Sequence, residues 1–412
     1  MSLTKETIVA LEGSLIVGQS GGPTAVINAS LAGVVEEAKR HGGIKEIYGA
    51  VNGVEGLLKE EMVDLRAETD ETISLLSQTP SSALRTCRKK LKENDYERLL
   101  SILRAHNIRY FLYIGGNDSA DTTHRVGLLA RESGYEMRVM AIPKTVDNDL
   151  AYMDHCPGYG SVARFNALAV RDAGLDSIAM ANSTHIKIVE TMGRNTGWIT
   201  AATALAREEP GDPPDLIYLP EKPFDHDRFL SDVKRVMARG RGCTIAVCEG
   251  LRDAEGNIVV ESKSAVDTDA FGHRQLGGIG DYLARFLMDA LDKKARADKA
   301  GTIQRVCGFA QSPVDAAEAR MAGTAAVGHA CEGTTDQMVT LIRVSSSPYK
   351  CETGLAPLSA VANAERPVPG EYINEDGNDV TPAFIEYALP LIGGPLPQYA
   401  RLKMTRVAKL LP

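Results

Sequence analysis

The sequence predicts an α/β protein of two lobes, each a mainly parallel sheet flanked by helices. Three observations carry that expectation. Short β-branched runs alternate with longer amphipathic segments in the order βαβα, the signature of a doubly wound sheet. At 412 residues the chain is too long for one compact core, so two lobes are expected. Charged or glycine-rich turns recur directly after the apolar runs, where such sheets bind ligands.

The elements follow in order. "SLIVG" (Ser14 to Gly18) reads as a strand and "TAVINASLAGVVEEAKR" as a helix, because apolar spacing shifts from a continuous run to a helical period. "IYGAV" is the next strand. "DYERLLSILRAHN" reads as a helix, "IRYFLYIGG" as a strand, "SADTTHRVGLLARES" as a helix and "MRVMAIP" as a strand. Beyond them, "HIKIVET", "DLIYLP" and "CTIAVCEG" are strands bounded by helical stretches. The Pro- and Gly-rich "AERPVPGEYINEDGNDVTP" reads as a surface loop.

Composition narrows the function. A net charge of -8 argues against nucleic acid or an anionic membrane as partner, so a phosphate would need a local basic pocket. No run of 18 apolar residues and no signal-peptide pattern is present, and seven scattered cysteines contain no CxxC pair. That argues against a disulfide framework and a structural zinc site, and fits a reducing cytoplasm.

Five turns carry the chemistry. In "GQSGGPTAVIN", Gly21 and Gly22 let backbone approach a ligand, although the loop matches neither common phosphate-binding glycine pattern. In "GGNDS", Gly115 and Gly116 precede Asn117, Asp118 and Ser119, which crowd oxygen atoms at a helix start; helix capping is the plain alternative. "PKTVDND" is sharper. In an extended segment Thr145, Asp147 and Asp149 face one way, so the two acids can divide the roles of general base and metal ligand beside Lys144. Arg194 in "ETMGRNTGW" ends a strand where a developing phosphoryl charge would need it. Glu249 in "IAVCEG" ends another, where a carboxylate can grip sugar hydroxyls.

Together these motifs resemble the phosphofructokinase family, in order and over most of the chain. The "SGGPTAVIN" loop, "GGNDS", "PKTVDND", "ETMGRNTGW" and Glu249 each match a family motif. The resemblance implies transfer of a phosphoryl group to the 1-hydroxyl of fructose 6-phosphate. Asp147, Lys144, Thr145 and Arg194 would be catalytic, and Mg²⁺ held near Asp118 and Asn117. Gly21, Gly22, Arg88, Gly116, Asn117, Asp118 and Ser119 would bind the donor; Asp149, Met192, Gly193 and Glu249 would bind the sugar. Asp118 with Lys144, and the stretches "HCPGYGS" and "DAFGHRQLGG", look like the pyrophosphate-dependent branch. A carboxylate at 118 stands where the ATP branch typically has glycine, and would repel the nucleotide's α-phosphate. An ATP-dependent enzyme and a non-catalytic regulatory subunit on the same fold remain the alternatives.

The resemblance also implies lobes of 1–158 plus 312–359 (donor) and 159–311 plus 360–412 (sugar), in a homodimer or homotetramer. Two departures stand out. Asn117 replaces an acid common at that place. "CGFAQSPVDAAEAR" is shortened where the family carries the arginine for the sugar's 6-phosphate. Arg305, Arg320 and Lys187 are the candidate substitutes, and another sugar phosphate such as sedoheptulose 7-phosphate stays open.

Overall fold

The computed structural model describes residues 11–260, 276, 278–362 and 364–410; most of "DAFGHRQLGG" lies outside them. Two sheets organise these residues. The first contains β1 (Gly13–Gln19), β2 (Ile44–Ala50), β3 (Met62–Asp64), β4 (Ile108–Gly115) and β5 (Arg138–Pro143). The second contains β6 (Ile186–Thr191), β7 (Leu216–Tyr218), β8 (Cys243–Cys248) and β9 (Ala295–Lys299). The chain then returns to the first sheet with β10 (Gln337–Ser346) and β11 (Tyr349–Pro357).

The seven-stranded sheet runs β11-β10-β5-β4-β1-β2-β3. Its pairings are parallel except at the edges, where β3 and β11 run antiparallel to their neighbours. The four-stranded sheet, β7-β8-β6-β9, is parallel throughout. Its central strands β6 and β8 are buried at every residue because both faces are covered there, whereas the edge strand β9 is largely accessible.

Successive connections leave β1 in opposite directions, toward β2 on one side and β4 on the other. Such a switch point opens a crevice beyond the carboxyl ends of the strands. The turns after β1, β4 and β5 all open there.

The helix Pro313–Cys331 packs on the helix Ile27–Arg40 through two glycines. A Cβ at Gly33 would lie 2.2 Å from the Arg320 carbonyl oxygen, and one at Gly323 2.1 Å from that of Ser30. Backbones therefore touch, and the helix is fixed against the first sheet's core.

One sequence expectation needs correction. The stretch 364–382 is not simply a surface loop: Val368 and Ile373 are buried beside Trp198 and Phe384. The Arg366 guanidinium lies 4.5 Å from the Trp198 ring centroid. Local composition could not reveal this, because every partner is distant in sequence.

Candidate active site

A cavity of about 360 Å³ lies where the strand-end turns converge. Gly21 and Gly22 line it from the turn after β1, and Gly116, Asn117, Asp118 and Ser119 from the turn after β4. The turn after β5 contributes Lys144, Thr145, Asp147 and Asp149, while Met192, Arg194 and Glu249 come from the second sheet. Arg88 completes the set of lining residues read from sequence. Gly193 sits just behind, its N–H donating to Glu249 Oε1 at 3.2 Å.

The glycines have specific reasons. Gly21 donates its N–H to the Cys87 carbonyl at 2.8 Å, and a Cβ there would lie 2.6 Å from Arg88 Cγ. Gly193 has φ +143, and a Cβ would strike the Thr196 carbonyl and Cys248 sulfur. The helix Asn117–Glu132 has Gly116 as its N-cap and no side-chain cap. With no side-chain cap the capping alternative fails, and Asp118, exposed at the first turn, is among the residues that line the cavity.

The segment 144–149 is held on both sides. Lys144 donates its N–H to Gly115 and its Nζ to the Gly21 carbonyl at 2.6 Å. Asp147 N–H donates to Thr145 Oγ1 at 3.1 Å, and Thr196 Oγ1 donates to the Asp147 carbonyl. The segment is not a regular strand, since Asn148 has φ +56. Its side chain turns away to Tyr387, and Thr145, Asp147 and Asp149 still share the cavity face.

Electrostatics explain why these groups need a ligand. Burial, then repulsion from Arg88, lowers the Lys144 ammonium to about 8. Burial, then repulsion from Glu249, raises Asp147; burial, then repulsion from Asp147, raises Asp149. Burial also raises Glu249. The two aspartates therefore titrate as a pair. Such unrelieved strain is usual where a site awaits charged reactants.

Of the three candidate cations, Arg305 alone is among the residues that line the cavity. Lys187 is paired with Asp298 at 2.8 Å and Asp176 at 3.3 Å. Arg320 bonds Glu36 across the helix pair. Arg305 instead lines the cavity, with its Nε buried and without a hydrogen-bond partner among the described residues. Burial and Arg88 push it below its ordinary range. Gln304 positions it, accepting hydrogen bonds from Met192 N–H and Asn166 Nδ2 at 3.2 Å each. The sequence signal for it is the dipeptide Gln304–Arg305, which stands just before the shortened stretch.

Sequence reasoning also missed residues from the C-terminal part. Glu365 and Ala362 line the cavity, and Asn195 Nδ2 donates to the Glu365 carboxylate at 3.0 Å. Arg366 donates to the carbonyls of Asn148, at 3.0 Å, Met153, at 3.1 Å, and Asp154. Its own N–H donates to the Asp149 carbonyl at 2.7 Å.

Buried carboxylates beside cations at the switch point of a doubly wound sheet suit a phosphotransferase of the α/β class. Residues 14–330 match the family model described as Phosphofructokinase, and the chain belongs to that family. It is 43% identical to the pyrophosphate–fructose 6-phosphate 1-phosphotransferase of Xanthomonas campestris pv. campestris, covering 97% of this chain and 98% of that one. Against the enzyme of the same name from Rhodospirillum rubrum the identity is 42%, over 97% and 99%. The pyrophosphate-dependent phosphofructokinase structure from Marinobacter aquaeolei superposes with a TM-score of 0.85 at 38% identity, covering 97% and 98%.

Proposed function

We propose that this chain transfers a phosphoryl group from pyrophosphate to the 1-hydroxyl of fructose 6-phosphate, giving fructose 1,6-bisphosphate, in a reversible step of glycolysis. The observation that carries it is the Asp147 carboxyl in one cavity with Lys144, Arg88, Arg194 and Arg305. Full-length similarity to pyrophosphate-dependent enzymes favours this donor over ATP.

Asp147 accepts the proton of the attacking hydroxyl, because its raised carboxyl is a stronger base than an exposed one. Lys144, Thr145 and Arg194 meet the charge that spreads over the phosphoryl oxygens. Arg88 and the turns at Gly21–Gly22 and Gly116–Ser119 hold pyrophosphate, with Asp118 excluding a nucleotide. Glu249, held by the Gly193 N–H, accepts hydrogen bonds from sugar hydroxyls beside Met192 and Asp149. Arg305 supplies the phosphate-binding cation that the shortened stretch lacks.

Phosphofructokinases are phosphotransferases that generally need a divalent metal. The residues fit Mg²⁺: Asp149 Oδ1 is buried without a hydrogen-bond partner among the described residues. The cavity carboxylates there do not close into a ready three-ligand cage. That suits an ion which takes one or two carboxylates and completes its shell with donor phosphates and water. Asp149, with Asp118 and Asn117, would hold it, and when bound it neutralises phosphate charge.

The domain reading is 1–158 plus 312–359 for the donor lobe and 159–311 plus 360–412 for the sugar lobe. Strand membership supports it, since β10 and β11 rejoin the first sheet. A homodimer or homotetramer in the cytoplasm completes the proposal. Leu175, Ile178 and Met180 are exposed apolar residues near one helix end, and no described helix is long and apolar enough to cross a membrane. A coupled assay with fructose 6-phosphate and Mg²⁺, run with pyrophosphate and separately with ATP, tests the function. Turnover with pyrophosphate alone is expected; comparable turnover with ATP would overturn the donor, and none with either would overturn the reaction.

A further inference from the structure

A second cluster of reactive side chains lies outside the cavity. His155 is buried in the turn that follows the Asp147–Asp149 loop, Glu318 is buried on the helix Pro313–Cys331, and Cys351 is half-buried on β11. One ligand atom from each lies within 4.8 Å of the others. Among the described residues this is the one group of three or more His, Cys, Asp or Glu side chains so placed.

We propose that His155, Glu318 and Cys351 form a binding site for a thiophilic divalent transition metal, zinc foremost. The donor set is one imidazole nitrogen, one carboxylate oxygen and one sulfur, the ligand chemistry of zinc and cobalt rather than magnesium.

Geometry beyond the three ligands supports the site. His155 Nδ1 lies 2.8 Å from Asp154 Oδ2, which leaves Nε2 pointing at Glu318 Oε2, 2.7 Å away. A carboxylate behind the far ring nitrogen is the arrangement that orients metal-bound histidines. Asp154 is itself fixed, accepting from Arg343 Nε at 3.1 Å and from its terminal nitrogen at 3.0 Å. Tyr349 OH donates to Glu318 Oε1 at 2.6 Å and lies 3.5 Å from His155 Nε2. Zinc bonds of about 2.0–2.3 Å separate tetrahedral ligands by roughly 3.3–3.7 Å, so His155 Nε2 and Glu318 Oε2, now 2.7 Å apart, must part slightly to admit the ion, while the Cys351 sulfur, within 4.8 Å of both, closes on it. The half-buried Cys351 provides the side of entry.

The exchange balances in charge. One proton closes the contact between His155 Nε2 and Glu318 Oε2, and another sits on the Cys351 sulfur. Entry of M²⁺ releases one proton from each, and no electron moves. The expectation that scattered cysteines exclude zinc rested on the absence of a CxxC pair. These ligands are too far apart in sequence for any such pattern, and only the return of β11 to the first sheet assembles them.

The test uses the full chain, stripped with a chelator and kept in excess Mg²⁺ so that the catalytic carboxylates are occupied. Titration with Co²⁺ should give one equivalent of uptake with a thiolate-to-cobalt charge-transfer band, and Zn²⁺ should displace it. Cys351→Ser should abolish the band and weaken Zn²⁺ binding at least tenfold. Asp154→Asn should keep the band but weaken binding by about 10–100-fold, as loss of such outer partners does. Zn²⁺ should raise the melting temperature of the wild type and not of Cys351→Ser, which replaces a half-exposed thiol and should fold normally. Absence of the band in the wild type, or equal Zn²⁺ affinity in the wild type and Cys351→Ser, would overturn the site.

Discussion

The turns at the ends of β1, β4 and β5 and the C-terminal residues Ala362 and Glu365 border the same cavity, yet they are built on opposite principles. Each turn carries its chemistry locally: Gly21, Asp118 or Asp147 stands within a few residues of the strand that presents it. The C-terminal segment acts at a distance. Glu365 reaches Asn195, and Arg366 caps carbonyls of Asn148, Met153 and Asp154 while lying on Trp198. The difference teaches that the reacting groups belong to short motifs, whereas the groups that hold them come from remote chain.

The largest expected effect tests the local half. Asp147→Asn keeps the shape but removes the base, and should lower kcat by about 10²–10⁴-fold, the usual contribution of acid–base help. KM for pyrophosphate should change little. A variant keeping more than half of wild-type kcat would remove Asp147 from the role and break the contrast on its stronger side.

The next effect tests the remote half. Arg366→Gln removes the guanidinium from the carbonyls of Asn148, Met153 and Asp154, of which only the last keeps a second donor among the described residues, Tyr387 OH, in a loop where small displacements matter to catalysis. It should lower kcat by about 10–100-fold, with KM for both substrates within about threefold of wild type, and Arg366→Lys should recover part of the loss. A loss confined to thermal stability, with kcat intact, would make Arg366 a packing residue only.

How much was legible follows from the same contrast. The strands around β1 and the five turns were readable because apolar runs ending in glycine and charge are local signals. Asp147 and Lys144 came with their loop, and Arg88 through resemblance. Arg305 was only one of three candidates, because choosing it requires knowing that Lys187 and Arg320 are already paired. Glu365 and Arg366 were hidden in a Pro-rich stretch whose burial depends on Trp198 and Tyr387, and on the left-handed Asn148. Local pattern carries no information on such contacts.

A smaller effect sharpens the reading of Asp118. It is exposed on the first turn of the helix Asn117–Glu132 and lines the cavity proposed to hold the donor. Like-charge crowding there selects against a nucleotide. Asp118→Gly should raise the ratio of kcat/KM for ATP to that for pyrophosphate by roughly tenfold, and Asp118→Gly with Lys144→Gly further. A ratio unchanged in both variants would place donor choice elsewhere, with the C-terminal wall at Glu365 the next position to alter.

The smallest effect is a shape in pH. Lys144 acts as a cation, and burial with Arg88 beside it lowers its proton affinity to about 8 in the free site. As pH rises through that value the cation is lost, so kcat/KM for pyrophosphate should fall on the alkaline side. Bound pyrophosphate adds negative charge beside the ammonium, so the alkaline limb of kcat should lie at higher pH than that of kcat/KM. The acid limb comes from Asp147, whose raised carboxyl must be ionised to accept a proton. Lys144→Arg should move the alkaline limb up and leave the acid limb in place. Stability gives an independent sign. Lys144 binds fewer protons folded than unfolded between its lowered value and the ordinary 10.5, so its burial costs stability at neutral pH and the cost fades as pH rises through that window. Lys144→Met should therefore melt higher than wild type at pH 7, with the gap narrowing toward pH 10. A gap that does not change with pH, together with an alkaline limb indifferent to Lys144→Arg, would assign the limb to another group.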